Sequence, residues 1–154
     1  MQALPRRLAP ALVSLFVLAG CAENGGMQAR PATENALGAS LLASSEVPQT
    51  TSSGRGQARL NYDETTHRLS WTITYGELSG TATAVELHGP AMPGQTAPAV
   101  LALVPAGSTP KSPLEGAATI TPEQAADLLA GKWYVNLETA AHPDGEIRGQ
   151  ILPK

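Results

Sequence analysis

The sequence predicts an all-β chain: an antiparallel two-sheet sandwich or flattened barrel of about eight short strands, with one short helix near residues 122–130. Two observations predict it. Fifteen Gly and 13 Pro stand against only 15% charged residues, and Gly and Pro punctuate strands and interrupt helices. From Leu41 onward the apolar residues recur with a period of two, the spacing of a strand with one buried face. At 154 residues, 42% of them hydrophobic, the chain is the size of one domain with one core. Coiled coils and long helical bundles are excluded.

In chain order, a short strand near 41–45 comes first. In 57–62, Ala58, Leu60 and Tyr62 alternate with Gln57, Arg59 and Asn61; in 69–75, Leu69, Trp71, Ile73 and Tyr75 alternate with Ser70, Thr72 and Thr74. The linker 63–68 is short and polar, so these two strands form an antiparallel hairpin. Gly54-Arg55-Gly56 reads only as a turn signal. Further strands are expected at 81–88, 99–103, 116–120, 133–139 and 146–152. The period breaks at Thr121-Pro122-Glu123-Gln124, where a hydroxyl, a Pro at the first helical position and a Gln two residues beyond it make a capping box. A helix over 122–130 follows, closed by Gly131, with Ala125, Leu128 and Leu129 on the face predicted to lie across the end of the sandwich.

The N-terminus reads as an address. Arg6 and Arg7 precede an apolar run over 8–19, then Leu18-Ala19-Gly20-Cys21. The run is too short for a spanning helix, which needs about 20 residues. Small residues just before the only Cys in the chain resemble the lipobox of bacterial lipoproteins. That resemblance implies that residues 1–20 are a signal peptide, cut before Cys21, whose thiol and amine are acylated. Ala22 in the next position points by the same resemblance to the outer membrane. Residues 21–38 are small, polar and aperiodic and read as a flexible tether, leaving 39–154 as the β domain. Loss of Arg6 and Arg7 with the signal leaves 8 basic and 13 acidic residues, a net charge of −5. Such a chain has no footing on a phosphate backbone, so nucleic acid is excluded; the expected partners are the membrane, through the lipid, and an envelope protein or ligand. With Cys21 consumed, packing alone must hold the domain together.

Several stretches, Ser44-Ser45-Glu46-Val47-Pro48, Gly54 with Gly56-Gln57-Ala58, Leu69-Ser70-Trp71, Leu78-Ser79-Gly80, Glu86-Leu87-His88-Gly89-Pro90-Ala91, Gly131-Lys132-Trp133-Tyr134-Val135-Asn136 and Gly145-Glu146-Ile147-Arg148-Gly149-Gln150, together resemble the chordin-domain (CHRD) family over about 41–152. The most specific part is W-Y-V-N followed by G-E-I-R-G-Q. The resemblance implies an extracytoplasmic β domain and carries no general catalytic activity; the sandwich expected is immunoglobulin-like or superoxide-dismutase-like. The family often has H-I-H-G and N-V-H-T where this chain has Glu86-Leu87-His88-Gly89 and Asn136-Leu137-Glu138-Thr139. Two of three histidines are glutamates here, which weakens any metal site drawn from that cluster.

Strand parity places Glu86, His88, Asn136, Glu138, Glu146 and Arg148 on one polar surface, opposite Val85, Leu87, Val135, Leu137 and Ile147. The expected role is a hydrogen-bonded charge cluster that fixes strand register. The alternative is a divalent metal ion held by Glu86, His88 and Glu138. Strands 133–139 and 146–152 are expected to form a hairpin closed by 140–145, with Glu138 directly opposite Arg148 or one diagonal step away. Arg148 is expected to fill the space among the carboxylates, so no cofactor is expected. His67 and His142 read as solvated loop residues. With no G-x-S-x-G elbow, H-E-x-x-H helix or phosphate loop, no catalytic residue is assigned. The functional expectation is a non-enzymatic, lipid-anchored binding or structural module of the cell envelope, with a metal-binding periplasmic protein as the competitor.

Overall fold

In a computed structural model, the structure describes residues 34–154. The segment expected to be a signal peptide, Cys21 and the expected tether as far as residue 33 lie outside the described residues. Nine strands, β1 (Glu34–Leu42), β2 (Arg55–Asp63), β3 (Arg68–Gly76), β4 (Ala82–His88), β5 (Ala99–Ala102), β6 (Leu114–Thr119), β7 (Tyr134–Thr139), β8 (Ile147–Gln150) and β9 (Leu152–Pro153), are joined by loops, a 3-10 turn (Ala43–Ser45) and one helix, α1 (Pro122–Leu129). The pairing order is β5-β4-β7-β8-β1-β2-β3-β6, with β9 also on β1. Every pairing is antiparallel. The ladder is continuous, and the sheet curls into a half-barrel around the core; its hydrogen bonds do not divide it into two separate sheets.

The period-two residues make that core. Ala58, Leu60, Tyr62, Leu69, Trp71, Ile73, Val85, Leu87, Val135, Leu137, Ile147 and Ile151 are all buried, together with Trp133. The β2/β3 hairpin runs in register from Arg55↔Gly76 to Asp63↔Arg68, one strand residue for each partner. Its turn is set by Asp63, whose Oδ1 accepts from the Thr65 and Thr66 N–H groups at 2.7 and 3.1 Å. His67 closes that turn, with Nδ1 2.8 Å from the Tyr62 hydroxyl, so it is a partnered residue rather than a merely solvated one. Arg55 and Gly56, expected in a turn, open β2.

The capping box forms as spaced. Thr121 Oγ1 accepts from Gln124 N–H at 3.2 Å, and Gln124 Oε1 accepts from Thr121 N–H at 2.9 Å. Ala125 and Leu128 are buried, with Leu129 packed against the same core. The strand expected at 146–152 is two: β8 and β9 are separated at Ile151, whose N–H bonds to Trp133 O at 2.9 Å.

The largest departure is β1. Residues 34–38, read as the end of the tether, are strand, and β1 pairs with β2 over its full length, Glu34↔Asp63 to Leu42↔Arg55. Its other edge meets β8 at Leu42↔Arg148 and β9 at Leu37↔Pro153 and Gly38↔Leu152. The short strand expected at 41–45 is therefore the end of β1 followed by a 3-10 turn. At this seam the backbones approach closely: a Cβ on Gly149 would lie 2.4 Å from Ser40 O and 2.8 Å from Ser40 C. Main-chain atoms in a paired strand cannot give way, so Gly149→Ala is expected to lower stability by about 2–3 kcal/mol, measured by urea unfolding. A loss below about 0.5 kcal/mol, the scatter of neutral surface changes, would show that the two strands do not meet this closely.

Candidate functional site

The outer face of β4, β7 and β8 is polar because alternation there turns the hydrophobic residues inward. The register sets the grid. Ala84 faces Glu138, Glu86 faces Asn136 and His88 faces Tyr134 across β4/β7, while Asn136 faces Arg148 and Tyr134 faces Gln150 across β7/β8. The expected hairpin forms, with Arg148 on the face opposite Ile147 and Glu138 one diagonal step from it. The loop 89–98 covers part of this face and accepts from it. Gln95 O takes a bond from Arg148 Nη2 at 2.6 Å, and Ala91 O takes one from Gln150 Nε2 at 2.9 Å. Ala97 O lies 2.9 Å from His88 Nδ1 and 3.2 Å from the Tyr134 hydroxyl.

Of the six residues expected to share the face, Glu86, His88 and Glu138 converge. One donor atom from each lies within 4.8 Å of the others, and His88 Nε2 is 3.3 Å from Glu86 Oε2. Burial pushes the Glu138 carboxyl above its ordinary range, and the neighbouring Glu86 charge adds to this. Arg148 is not among them. Its guanidinium carbon lies 3.3 Å above the Tyr134 ring centre, a cation–π position, so it leans along β7 away from Glu138. The pairs of oppositely charged Arg or Lys and carboxylate side chains among the described residues are Arg55–Glu77 and Lys132–Asp127; Glu86 and His88 share one strand, so their contact does not fix register between strands.

Asn136 lies beside the triad, its Nδ2 donating to Asp144 O at 3.1 Å. Its Oδ1 is buried with no hydrogen-bond partner, as is Oε1 of Glu46. Both crowd one point: a Cβ on Gly145 would lie 2.5 Å from Asn136 Oδ1 and 2.7 Å from Glu46 Oε1. Glu46 is 6% exposed. Burial raises its pKa to about 7, against the pull of Arg148. A cleft of about 260 Å³ opens where Glu46, Gly94 and Arg148 meet. Parity reasoning missed Glu46; the signal available was its place in Ser45-Glu46-Val47-Pro48, a charged residue inside a motif.

Glu146 leaves this surface altogether. Gly145, at φ 134°, breaks the alternation, and the Glu146 side chain enters the end of the core. There it is 0% exposed. Its Oε1 accepts from Ser52 Oγ at 2.5 Å and Ser79 N–H at 2.6 Å, and its Oε2 from Ser79 Oγ at 2.7 Å and Thr139 Oγ1 at 2.6 Å. Thr50 Oγ1 donates to its carbonyl at 2.8 Å. Every polar atom is satisfied, and three loops meet on one carboxylate. His142 stays in the β7/β8 loop, half-buried, its N–H donating to Thr139 O at 3.1 Å.

The W-Y-V-N and G-E-I-R-G-Q segments form the β7/β8 hairpin of an all-β antiparallel sheet, and a β domain is what the motif resemblance implies. The CHRD domain profile matches residues 37–151. The chain belongs to the CHRD domain family. Comparison with the curated proteins and with the solved structures finds no match in either. The start of the matched range falls inside β1, so the match takes in residues 37–42 of that strand.

Proposed function

We propose that this CHRD-domain protein is a lipid-anchored module of the cell envelope, non-enzymatic, which presents the outer face of β4, β7 and β8 to an envelope protein or ligand. The observation that carries the reading is Leu18-Ala19-Gly20-Cys21 behind a basic pair and a short apolar run, joined to a domain whose family brings no catalytic activity with it. The short stretch between Cys21 and Glu34 keeps the domain close to the bilayer. Ala22 favours the outer membrane as the destination.

A single acyl chain anchors only marginally, so stable retention takes more than one. The expected result is that protein from the membrane fraction begins at Cys21 and carries acyl mass, and that Cys21→Ser moves it to the soluble fraction. An intact Met1 terminus, or a free Cys21 thiol on membrane-bound protein, would sink the reading.

A further inference from the structure

On the outer face, one group of lone pairs has no donor among the described residues. His88 Nδ1 lies 2.9 Å from Ala97 O. A carbonyl only accepts, so Nδ1 carries the proton and Nε2 of the neutral ring is a lone pair. That Nε2 is buried and has no hydrogen-bond partner; its 3.3 Å contact with Glu86 Oε2 is not aligned as a hydrogen bond. Glu86 and Glu138, the neighbours it converges with, offer acceptors only. The nearby cation cannot serve them, because Arg148 is held by the Tyr134 ring and Gln95 O. The His88 ring is further held in plane by stacking on Tyr134, centroids 5.0 Å apart and 17° between planes.

We propose that Glu86, His88 and Glu138 bind one divalent ion of the zinc class, through His88 Nε2 and one oxygen from each carboxylate. An imidazole whose far nitrogen donates to a backbone carbonyl is the arrangement that orients a metal-ligating histidine. Tetrahedral bonds of about 2.1 Å set donors about 3.4 Å apart, and the His88–Glu86 pair already stands at 3.3 Å. The whole set lies within 4.8 Å, so rotation of a carboxylate completes the approach. Two ligands come from β4 and one from β7, strands paired from Ala82↔Thr139 to His88↔Tyr134, so the frame is stiff. The two carboxylates balance a dication, and the imidazole selects late transition metals over magnesium and calcium, which require more oxygen donors. Three protein donors leave a fourth position for water or a donor group of a partner. The site adds to the envelope-module reading without resting on it, since it stands whether or not Cys21 is acylated.

The test uses full-length protein in detergent, stripped with a chelator and titrated separately with zinc and with magnesium. One zinc per chain is expected to survive desalting and to raise the unfolding midpoint, with magnesium at the same concentration doing neither. Glu138→Gln and His88→Ala are each expected to weaken zinc binding at least about tenfold. Should His88→Ala fail to fold, Glu138→Gln, which keeps the side-chain shape, decides. Absence of zinc binding, equal binding of magnesium, or zinc affinity unchanged in Glu138→Gln overturns the site. Fractionation of Cys21→Ser reads the lipid anchor independently of all these outcomes.

Discussion

Glu146→Ala is expected to remove about 3–5 kcal/mol of stability at pH 7, the cost of losing four charge-assisted hydrogen bonds to one buried carboxylate and leaving a buried N–H without its acceptor. The carboxylate accepts from Ser52, Thr139 and Ser79 hydroxyls and from the Ser79 N–H. Hydroxyls can turn to other acceptors; the Ser79 N–H cannot. Glu146→Gln is expected to do little better, since its amide brings two donors to a site already filled with donors. Desolvation alone would raise the pKa of Glu146, but the bonds from Ser52, Thr139 and Ser79 outweigh it and hold the pKa at about 2, below the ordinary 4.5. A carboxyl whose folded pKa is depressed contributes stability that is complete above the unfolded value and drains as pH falls toward the folded one. Wild-type stability should therefore decline from pH 4.5 toward pH 2 by roughly 3 kcal/mol on this account, and Glu146→Ala should lack that limb. Urea unfolding at a series of pH values measures both. A variant as stable as wild type at pH 7 would remove Glu146 from its place as the fastener of the three loops.

Strand parity locates most of the core because β2, β3, β7 and the Val85–Leu87 part of β4 place apolar residues at alternate positions, and alternation is a local property that the pleat enforces. It failed where the chain departs from the pleat or where a partner distant in sequence decides. The inward residues of β1 are Leu37, Ala39 and Leu41, with Gly38 and Ser40 between them and Glu34, Asn35 and Ala36 before; its strand character comes from pairing on both edges with β2, β8 and β9. At Glu146, one residue of positive φ at Gly145 turned the side chain into the core. Parity puts Arg148 on its observed face, but a face leaves a choice of diagonal neighbours. Gln95 O and the Tyr134 ring settled that choice, and the loop that supplies Gln95 has no periodic pattern. With Arg148 held there, no Lys or Arg side chain among the described residues pairs with Glu86 or Glu138.

Glu46 is expected to give the opposite pH dependence. It is buried, and desolvation raises its pKa to about 7 from 4.5, with Arg148 and the Val47 backbone pulling it down and Glu138 pushing it up. An acid whose folded pKa is raised contributes stability that is fully present below the unfolded value and is lost as pH rises through the folded one. The protonated acid suits its surroundings: Asn136 Oδ1 and Glu46 Oε1 crowd the Cβ-free space at Gly145, each without a partner, and a carboxylic O–H is a donor that two facing acceptors lack. Between pH 4.5 and pH 8 this one group should cost wild type roughly 3 kcal/mol. Glu46→Gln keeps the shape, supplies a donor at every pH and removes the titration. The variant should match wild type closely near pH 5 and exceed it increasingly above pH 7. Every other titratable group is common to both proteins, so the difference between the two unfolding curves isolates Glu46. Curves that run parallel from pH 5 to pH 8 would mean that Glu46 is ionised throughout, with Arg148 as its counter-ion despite the Tyr134 stack, and that the unpartnered oxygen of Asn136 is satisfied by something other than this proton.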